Sequence, residues 1–303
     1  MKRASPIALK KHHGSALLAV LWIIALLTML LATSSLLLLQ DVDTIGTRRQ
    51  MFRARMLAET GLAIASHPEI KPDDPRLRSE IEPGVGYAVD IIGEDARLNP
   101  NTLLQREDRD TLRRIFTAWG LKVLEADALI DAMLDWVDQD DFNRVKGAES
   151  RHYRRPGIPF NRPFRSVEEM ALVRGMDQVE ALFPSWRDWF SVYASGTLDV
   201  NDAAPELVSA ITGADIILAR QFQTRRLGRD GIRNTEDDVP APDLQTALAA
   251  LGAARSQGAA SILSVQSASR RIASTGIMGD FSKTITAIVQ GGQGSAQILA
   301  LEE

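Results

Sequence analysis

The sequence predicts an α+β protein: a long N-terminal helix packed on a small antiparallel sheet, with a large α-helical domain inserted into it. Three observations carry that prediction. An apolar run without a single charge extends from Ser15 to Gln40 and passes into an amphipathic pattern that lasts to about Ala65. Apolar residues then alternate at Val85, Tyr87, Val89 and Ile91, the period of a strand. Strand patterning returns only after Ser267, so a long helical stretch is bracketed by strands.

The first element is the helix. Lys2, Arg3, Lys10 and Lys11 precede Gly14, and the first charge after the apolar run is Asp41. A helix rises about 1.5 Å per residue, so about 20 apolar residues cross a hydrocarbon core of about 30 Å. The run is longer than that and holds neither proline nor glycine. Basic residues before it and acids after it place the leader in the cytoplasm and the remainder outside. A secretory signal peptide has a shorter apolar region followed by a small-residue cleavage site. Here the glycine comes before the apolar run, which implies cleavage on the cytoplasmic side and retention of the apolar segment. Beyond Asp41, Val42, Ile45, Phe52 and Met56 keep a helical spacing, and no proline occurs before Pro68. One helix from Ser15 to Ala65 is expected; the alternative is two helices broken at Gly46.

Pro68, Pro72, Pro75 and Pro83 mark residues 66–84 as a loop. A strand follows over 85–91, then helices near 107–118 and 125–138. Ser166 and Glu169 have the spacing of a capping box that opens a helix to about Val173. Short helices are expected near 177–183, 205–211 and 214–226. Leu98-Asn99-Pro100-Asn101 is echoed by Leu198-Asp199-Val200-Asn201, and Ala126-Asp127-Ala128-Leu129-Ile130 by Ala214-Asp215-Ile216-Ile217-Leu218. This weak repeat suggests helix–hairpin–helix-like units. Strands at 267–277 and 281–289 flank the turn pair Gly279-Asp280, and the glycine-rich tail from Gly291 is expected to be loose. The expected division is a leader at 1–14, a membrane half-helix at 15–40 and its outer half with the first strand at 41–97. The inserted helical domain takes 98–265, and the closing strands with the tail take 266–303.

Composition narrows the function. The chain has 303 residues, a formal net charge of −4 and no cysteine. Disulfides are excluded, so an exported domain depends on its core or on bound ions. The helical units lack the basic, glycine-containing turn that faces phosphate, and no nucleic-acid partner is expected. Only His67 and His152 lie beyond the leader's His12 and His13, and no hydrolase or zinc-protease motif accompanies them. The chain is therefore not read as an enzyme.

Acidic loops are the chemical candidates. Asp131, Asp135, Asp138, Asp140 and Asp141 crowd one short stretch, and Glu149 follows. Asp131 and Asp135 share a helical face, and the later acids meet the negative end of the helix. A calcium ion, which takes six to eight oxygen ligands, offsets such repulsion. Asp135, Asp138, Asp140 and Glu149 are the candidate ligands; the alternative pairs the acids with Arg144, Lys146 and Arg151. A second candidate loop, Gly228 to Asp238, offers Asp230, Asn234, Asp237 and Asp238 around a glycine turn; its alternative is an ordinary exposed turn.

These residues carry a family resemblance. Gly14 followed by Ser15-Ala16-Leu17-Leu18-Ala19-Val20-Leu21-Trp22 resembles the prepilin site of type IV pilins and pseudopilins. The resemblance implies cleavage by prepilin peptidase between Gly14 and Ser15, and methylation of the new terminus. Most members carry glutamate at mature position five; here it is Ala19. That departure, with Asp135-Trp136-Val137-Asp138-Gln139-Asp140, Gly147-Ala148-Glu149, Tyr153 and Pro159-Phe160-Asn161-Arg162-Pro163-Phe164, is similar to the K-type minor pseudopilins of type II secretion. The resemblance implies a pseudopilin fold with a helical insertion, a single-pass inner-membrane protein with a periplasmic domain, and calcium in the globular part. It implies a place at the pseudopilus tip with the I- and J-type minor pseudopilins, above the major pseudopilin and the inner-membrane secretion platform, within reach of secreted cargo. Ala19, Leu21 and Trp22 would belong to the assembly helix. A minor pilin of a type IV pilus and a signal-anchored periplasmic hydrolase are the competing expectations.

Overall fold

The structure is a computed structural model that describes residues 13–67, 69–153, 155–253, 260–292 and 295–302. The chain forms two units, Met1–Arg53 and Ala54–Glu303. Helix α1, His13–Ala65, contributes to both and continues through Gly46. In the first unit, Leu17–Ser34 is long and apolar enough to cross a membrane. Its large side chains, Leu21 and Trp22 among them, are exposed around the whole helix, as in a segment surrounded by lipid or other helices. Ala19 lies in this stretch. The leader through His12 lies outside the described residues.

In the second unit, α1 faces the sheet through Ala54, Ala58, Gly61 and Ala65, spaced by four, three and four residues. Small residues let the helix backbone descend onto the strands. A Cβ on Gly276 would stand 1.9 Å from the Ala54 carbonyl oxygen, and one on Gly61 would stand 2.8 Å from Tyr87. Leu57, Leu62 and Ile64 flank the stripe and close a core with Ile70, Leu77, Tyr87, Val89, Ile91, Ile272, Ala287 and Val289.

The sheet comprises β1 (Arg78–Glu82), β2 (Val85–Gly93), β5 (Ser269–Met278), β6 (Phe281–Gly292) and β7 (Ser295–Glu302). They lie side by side in that order, every pair antiparallel. The Gly279-Asp280 turn closes the β5–β6 hairpin between Met278 and Phe281, with Gly279 at φ +60. Two expectations fail here. Residues 78–82 are a strand rather than loop, because Arg-Ser-Glu-Ile-Glu forms a charged, mostly exposed edge with no apolar alternation to reveal it. The tail is not loose: β7 pairs with β6 from Ser295 to Glu302.

The chain leaves the sheet at Gly93 and returns at Ser269. The intervening block contains α2 (Pro100–Gln105), α3 (Arg109–Ala118), α4 (Val123–Val137), α5 (Met176–Leu182), β3 (Leu198–Asp199), α6 (Pro205–Thr212), α7 (Ile216–Arg226), α8 (Leu244–Ala250) and β4 (Leu263–Ser264). One large core unites it, with Trp119 between Phe116, Phe183, Trp189 and Phe190, and Trp136 beside Tyr153, Phe160 and Phe164.

The block is joined to the sheet by Glu94 and Asp95, both fully buried. Asp95 accepts from the Ser195 amide at 2.5 Å and the Ala268 amide at 2.8 Å, and its own amide donates to Ser267 Oγ at 2.8 Å. Glu94 takes two hydrogen bonds from Arg271, at 2.8 and 3.1 Å, and one from Ser191. Asp202 accepts from the Gly93 amide at 2.9 Å and from Arg226 at 2.7 Å. Exit, middle and return of the insertion thus meet at one point, through charge-assisted bonds roughly twice as strong as neutral ones.

The internal repeat is physical. Asn99 Oδ1 and Asp199 Oδ1 each accept the amide two residues on, at 3.0 Å. Asn101 donates to the Phe164 carbonyl at 2.9 Å and accepts from the Phe164 amide at 2.8 Å. Asn201 does the same with Ala241, at 3.1 and 2.8 Å. Leu98 and Leu198 each make a parallel bridge, to Phe190 and Leu263. Two helix pairs follow, α3–α4 turning at Gly120 (φ +101) and α6–α7 at Gly213 (φ +72), and α3 packs on α6. The second sequence echo is not an equivalence: Ala126 lies inside α4, whereas Ala214 precedes the Asp215 cap of α7. Aligning the two glycines instead superposes Ala126 on Ala219, and both are buried. The expected capping box is also absent. Ser166 makes no capping bond, Glu169 binds Arg162 at 2.9 and 3.1 Å, and 167–172 is a 3-10 turn.

Two predictions follow from this packing. Gly276→Ala drives a methyl into the α1 backbone and lowers the unfolding free energy by about 2 kcal/mol or more, measured by urea denaturation; an unchanged midpoint would refute the close approach. Asp199 is pushed up to about 7, by burial first and then by the Asp202 charge. The folded state therefore holds a proton that the unfolded state releases near pH 4, and stability falls as pH rises from 4 to 7. Asp199→Asn, which restores the residue type of the first copy, stabilises the protein by about 2–4 kcal/mol at pH 8 and far less at pH 5. An equal gain at both pH values would contradict it.

Candidate functional site

The C-terminal half of α4 builds the site. Asp131 and Asp135 project from one face while Trp136, fully buried, turns to the aromatic core. Asp138 caps the helix. The irregular loop that follows folds back across this face. Its Lys146 amide donates to Asp131 Oδ2 at 3.2 Å, and Arg109 donates to Asp131 Oδ1 at 2.6 Å. Asp131 is thereby satisfied.

Asp135, with no exposed surface, accepts from the Arg144 amide at 3.2 Å and from Arg144 Nη1 at 2.8 Å. The same Nη1 bonds Asp138 Oδ2. Gly147 passes so close that a Cβ there would sit 1.9 Å from Asp135 Oδ2. Two residues later, the Glu149 amide donates to Asn143 Oδ1 and His152 Nδ1, both at 3.2 Å, which turns the Glu149 side chain inward. That side chain is buried, and neither of its carboxylate oxygens has a partner among the described residues. Asp138 Oδ1 and Asn161 Oδ1 are buried and unpartnered as well. Asn161, in the left-handed region at φ +49, reaches back to the Asp140 carbonyl and Asp141 Oδ1, both at 3.4 Å. Asp140 is exposed and accepts from the Phe142 amide at 2.8 Å.

The electrostatics match this geometry. Glu149 is pushed up to about 7, by burial first and then by the charges of Asp135, Asp138, Asp141 and Asp140. Burial also raises Asp138, against the pull of Arg144. Burial alone would lower the Arg144 guanidinium, but its bonds to Asp138 and Asp135 raise it. Four buried oxygens without hydrogen bonds on one loop amount to several kcal/mol of uncompensated desolvation. Among the described residues no three His, Asp or Glu side chains are gathered tightly enough to hold a metal ion as they stand. The donor set nonetheless fits one: hard oxygens, several carboxylates and an irregular loop free to adjust are what calcium takes.

The second acidic loop is differently engaged. Asp237 Oδ2 accepts the Arg229 amide at 2.6 Å and the Asp230 amide at 3.3 Å, and its Oδ1 accepts Thr235 Oγ1 at 2.8 Å. Asp230 accepts the Ile232 amide at 2.7 Å. Asn234 donates to Asp90 Oδ1 at 3.1 Å and the Ile91 carbonyl at 2.9 Å, so it fastens the loop to β2. Asp238 Oδ2 accepts the Asn234 amide at 2.9 Å, and only its Oδ1 is buried without a partner. Sequence reasoning missed Asn161 as a site residue; its neighbour prolines masked it as a connector.

The pH response of Glu149 is testable. Folded protein holds the Glu149 proton to about pH 7, while the unfolded chain releases it near 4.5. The stability this group supports is therefore full below pH 4.5 and is lost as pH rises to 7. In calcium-free buffer, Glu149→Gln raises stability at pH 8 by about 2–3 kcal/mol and leaves it nearly unchanged at pH 4.5. Destabilisation at pH 8, read from chemical denaturation, would show that the carboxylate is satisfied.

Comparison with known proteins gives this arrangement a context. The family model for type II secretion system protein K matches residues 96–185, from the sheet junction through α5, and includes the acidic loop and Glu149. A type II secretion system protein K from Klebsiella pneumoniae is 28% identical over 249 residues, covering 71% of this chain and 76% of the relative. The crystal structure of the GspK–GspI–GspJ complex from the enterotoxigenic Escherichia coli type 2 secretion system contains a chain of similar fold. It aligns at a TM-score of 0.60 and 16% identity, covering 87% of this chain and 98% of that one. These matches identify residues 96–185 as a type II secretion system protein K domain, and the chain as a whole, with its apolar N-terminal helix, antiparallel sheet and spliced helical block, is similar in sequence and fold to protein K.

Proposed function

We propose that the protein is the minor pseudopilin at the tip of a type II secretion pseudopilus, a structural subunit rather than an enzyme. One observation carries the proposal: a helical block of roughly half the chain interrupts the sheet between β2 and β5. A subunit with such a block has no room for an identical neighbour above it, so it ends a filament and does not extend one. Processing by prepilin peptidase between Gly14 and Ser15 frees the terminus of α1, which is then methylated. The apolar half of α1 sits in the inner membrane with the helical block in the periplasm. There it packs against the helices of the I- and J-type minor pseudopilins, whose counterparts accompany protein K in the Escherichia coli complex. Ala19 supports the tip position. A subunit without a carboxylate there makes no ion pair with a neighbour's terminal amine, a pairing that would otherwise justify the cost of a charge in lipid. The complex primes addition of the major pseudopilin from the inner-membrane secretion platform, and the tip is the part that meets secreted cargo.

Calcium belongs to the same reading. Asp135, Asp138 and Glu149, with Asn161, would hold the ion, and Asp140 would lie at its rim. The ion would supply positive charge to buried carboxylates and stiffen the loop. The proposal is confined to the first loop, because in the second Asp230, Asp237 and Asp238 each already accept a backbone amide of the loop and only Asp238 Oδ1 is left without a partner among the described residues.

Removal of residues 98–265, with α1 and the sheet strands retained, tests the tip assignment. Secretion is expected to fall at least tenfold while pseudopili grow beyond their normal length. Unchanged secretion and unchanged filament length would sink it.

A further inference from the structure

We propose that Arg144 is a built-in stand-in for the cation of the acidic loop, and that metal binding there proceeds by its expulsion. The inference rests on the calcium reading above. Nη1 of Arg144 lies between Asp135 Oδ1, at 2.8 Å, and Asp138 Oδ2, so the guanidinium occupies two of the carboxylates that would hold a cation here and supplies positive charge to both. It is an incomplete substitute. One guanidinium charge leaves Glu149 Oε1 and Oε2, Asp138 Oδ1 and Asn161 Oδ1 without a partner among the described residues. A calcium ion brings twice the charge and can take six to eight oxygens from any direction, whereas guanidinium offers only N–H bonds in its plane.

The exchange requires little movement. The Arg144 backbone amide makes its own bond to Asp135, at 3.2 Å, so the loop stays attached when the side chain departs. Arg144 lies outside any helix or strand, and its side chain is 29% exposed while that of Asp135 is fully buried. The guanidinium thus has a route to water that the carboxylates lack. Without metal, it keeps Asp135 from being a buried charge without a counter-ion. With metal, it competes for the same oxygens, so Arg144 preserves the empty fold at the expense of affinity.

The test uses the full-length chain in detergent, washed with chelator and titrated with calcium chloride by calorimetry and thermal melts. Wild type binds calcium and melts higher with it. Arg144→Gln melts lower than wild type in chelator but binds calcium at least tenfold more tightly. Lys146→Gln, the same charge change on an exposed neighbour, shifts the affinity less than threefold. Equal or weaker binding by Arg144→Gln overturns the inference while leaving the calcium reading intact. An equal gain in Lys146→Gln also overturns it, since bulk charge then accounts for the effect. Failure of both wild type and Arg144→Gln to bind calcium overturns the calcium reading itself. If Arg144→Gln folds only with calcium present, that supports the inference. If it does not fold at all, Arg144→Lys decides: it loses the planar fork and binds calcium more tightly than wild type, and binding no tighter overturns the proposal.

Discussion

Two buried carboxylates hold this architecture together. An insertion of this length hangs from the sheet by only two chain crossings, at Gly93 and Ser269, and backbone alone would leave it free to swing. Glu94 and Asp95 prevent that because they sit at the exit and bind the return, through Ser267, Ala268 and Arg271. They also reach the interior of the block through Ser191 and Ser195. In a dry environment such bonds are strong when complete and costly when broken. The same logic governs the acidic loop, where Arg144 completes some carboxylates and leaves others incomplete. One site has its carboxylates fully bonded; the other leaves buried oxygens without partners among the described residues.

The helix–sheet contact is of a different kind. Its specificity is steric, from the stripe Ala54, Ala58, Gly61 and Ala65 against Gly276. A stripe of small residues fixes the depth of the helix rather than its chemistry. It leaves Met56, on the opposite side of α1, exposed. Polar bonds thus position the helical block, and close approach positions the helix. The block is in turn built twice on one local plan, with Asn101 and Asn201 each gripping both backbone groups of a single distant residue.

Much of this was legible in the chain. Long-period features are carried by many residues, so the helix, the strands at either end and the helical block between them could be read from periodicity. The acidic cluster was legible for the same reason. What escaped notice depended on single contacts across the sequence. β1 has no apolar alternation because it is an exposed edge, and β7 sits behind a glycine-rich turn that resembles a loose tail. The Ser166 capping box failed because Glu169 takes two charge-assisted bonds from Arg162 and the amide of Arg165 rather than that of Ser166. The pairing of Arg144 with the acids was among the sequence alternatives and is what the structure shows, whereas Asn161 joined them only when the loop folded back on α4. The match of Leu98–Asn101 with Leu198–Asn201 was real, but its partners Phe164 and Ala241 have no signature in sequence.

The junction at Glu94 and Asp95 has a mechanical consequence. A load on the helical block reaches the sheet through two covalent strands and, in parallel, through hydrogen bonds set across both of them. Bonds loaded in parallel share a force that would break them one at a time if they were loaded in series like a zipper. The junction therefore acts as a stiff bearing rather than a hinge: thrust passes into the central strands β2 and β5, the part of the sheet braced most closely by α1.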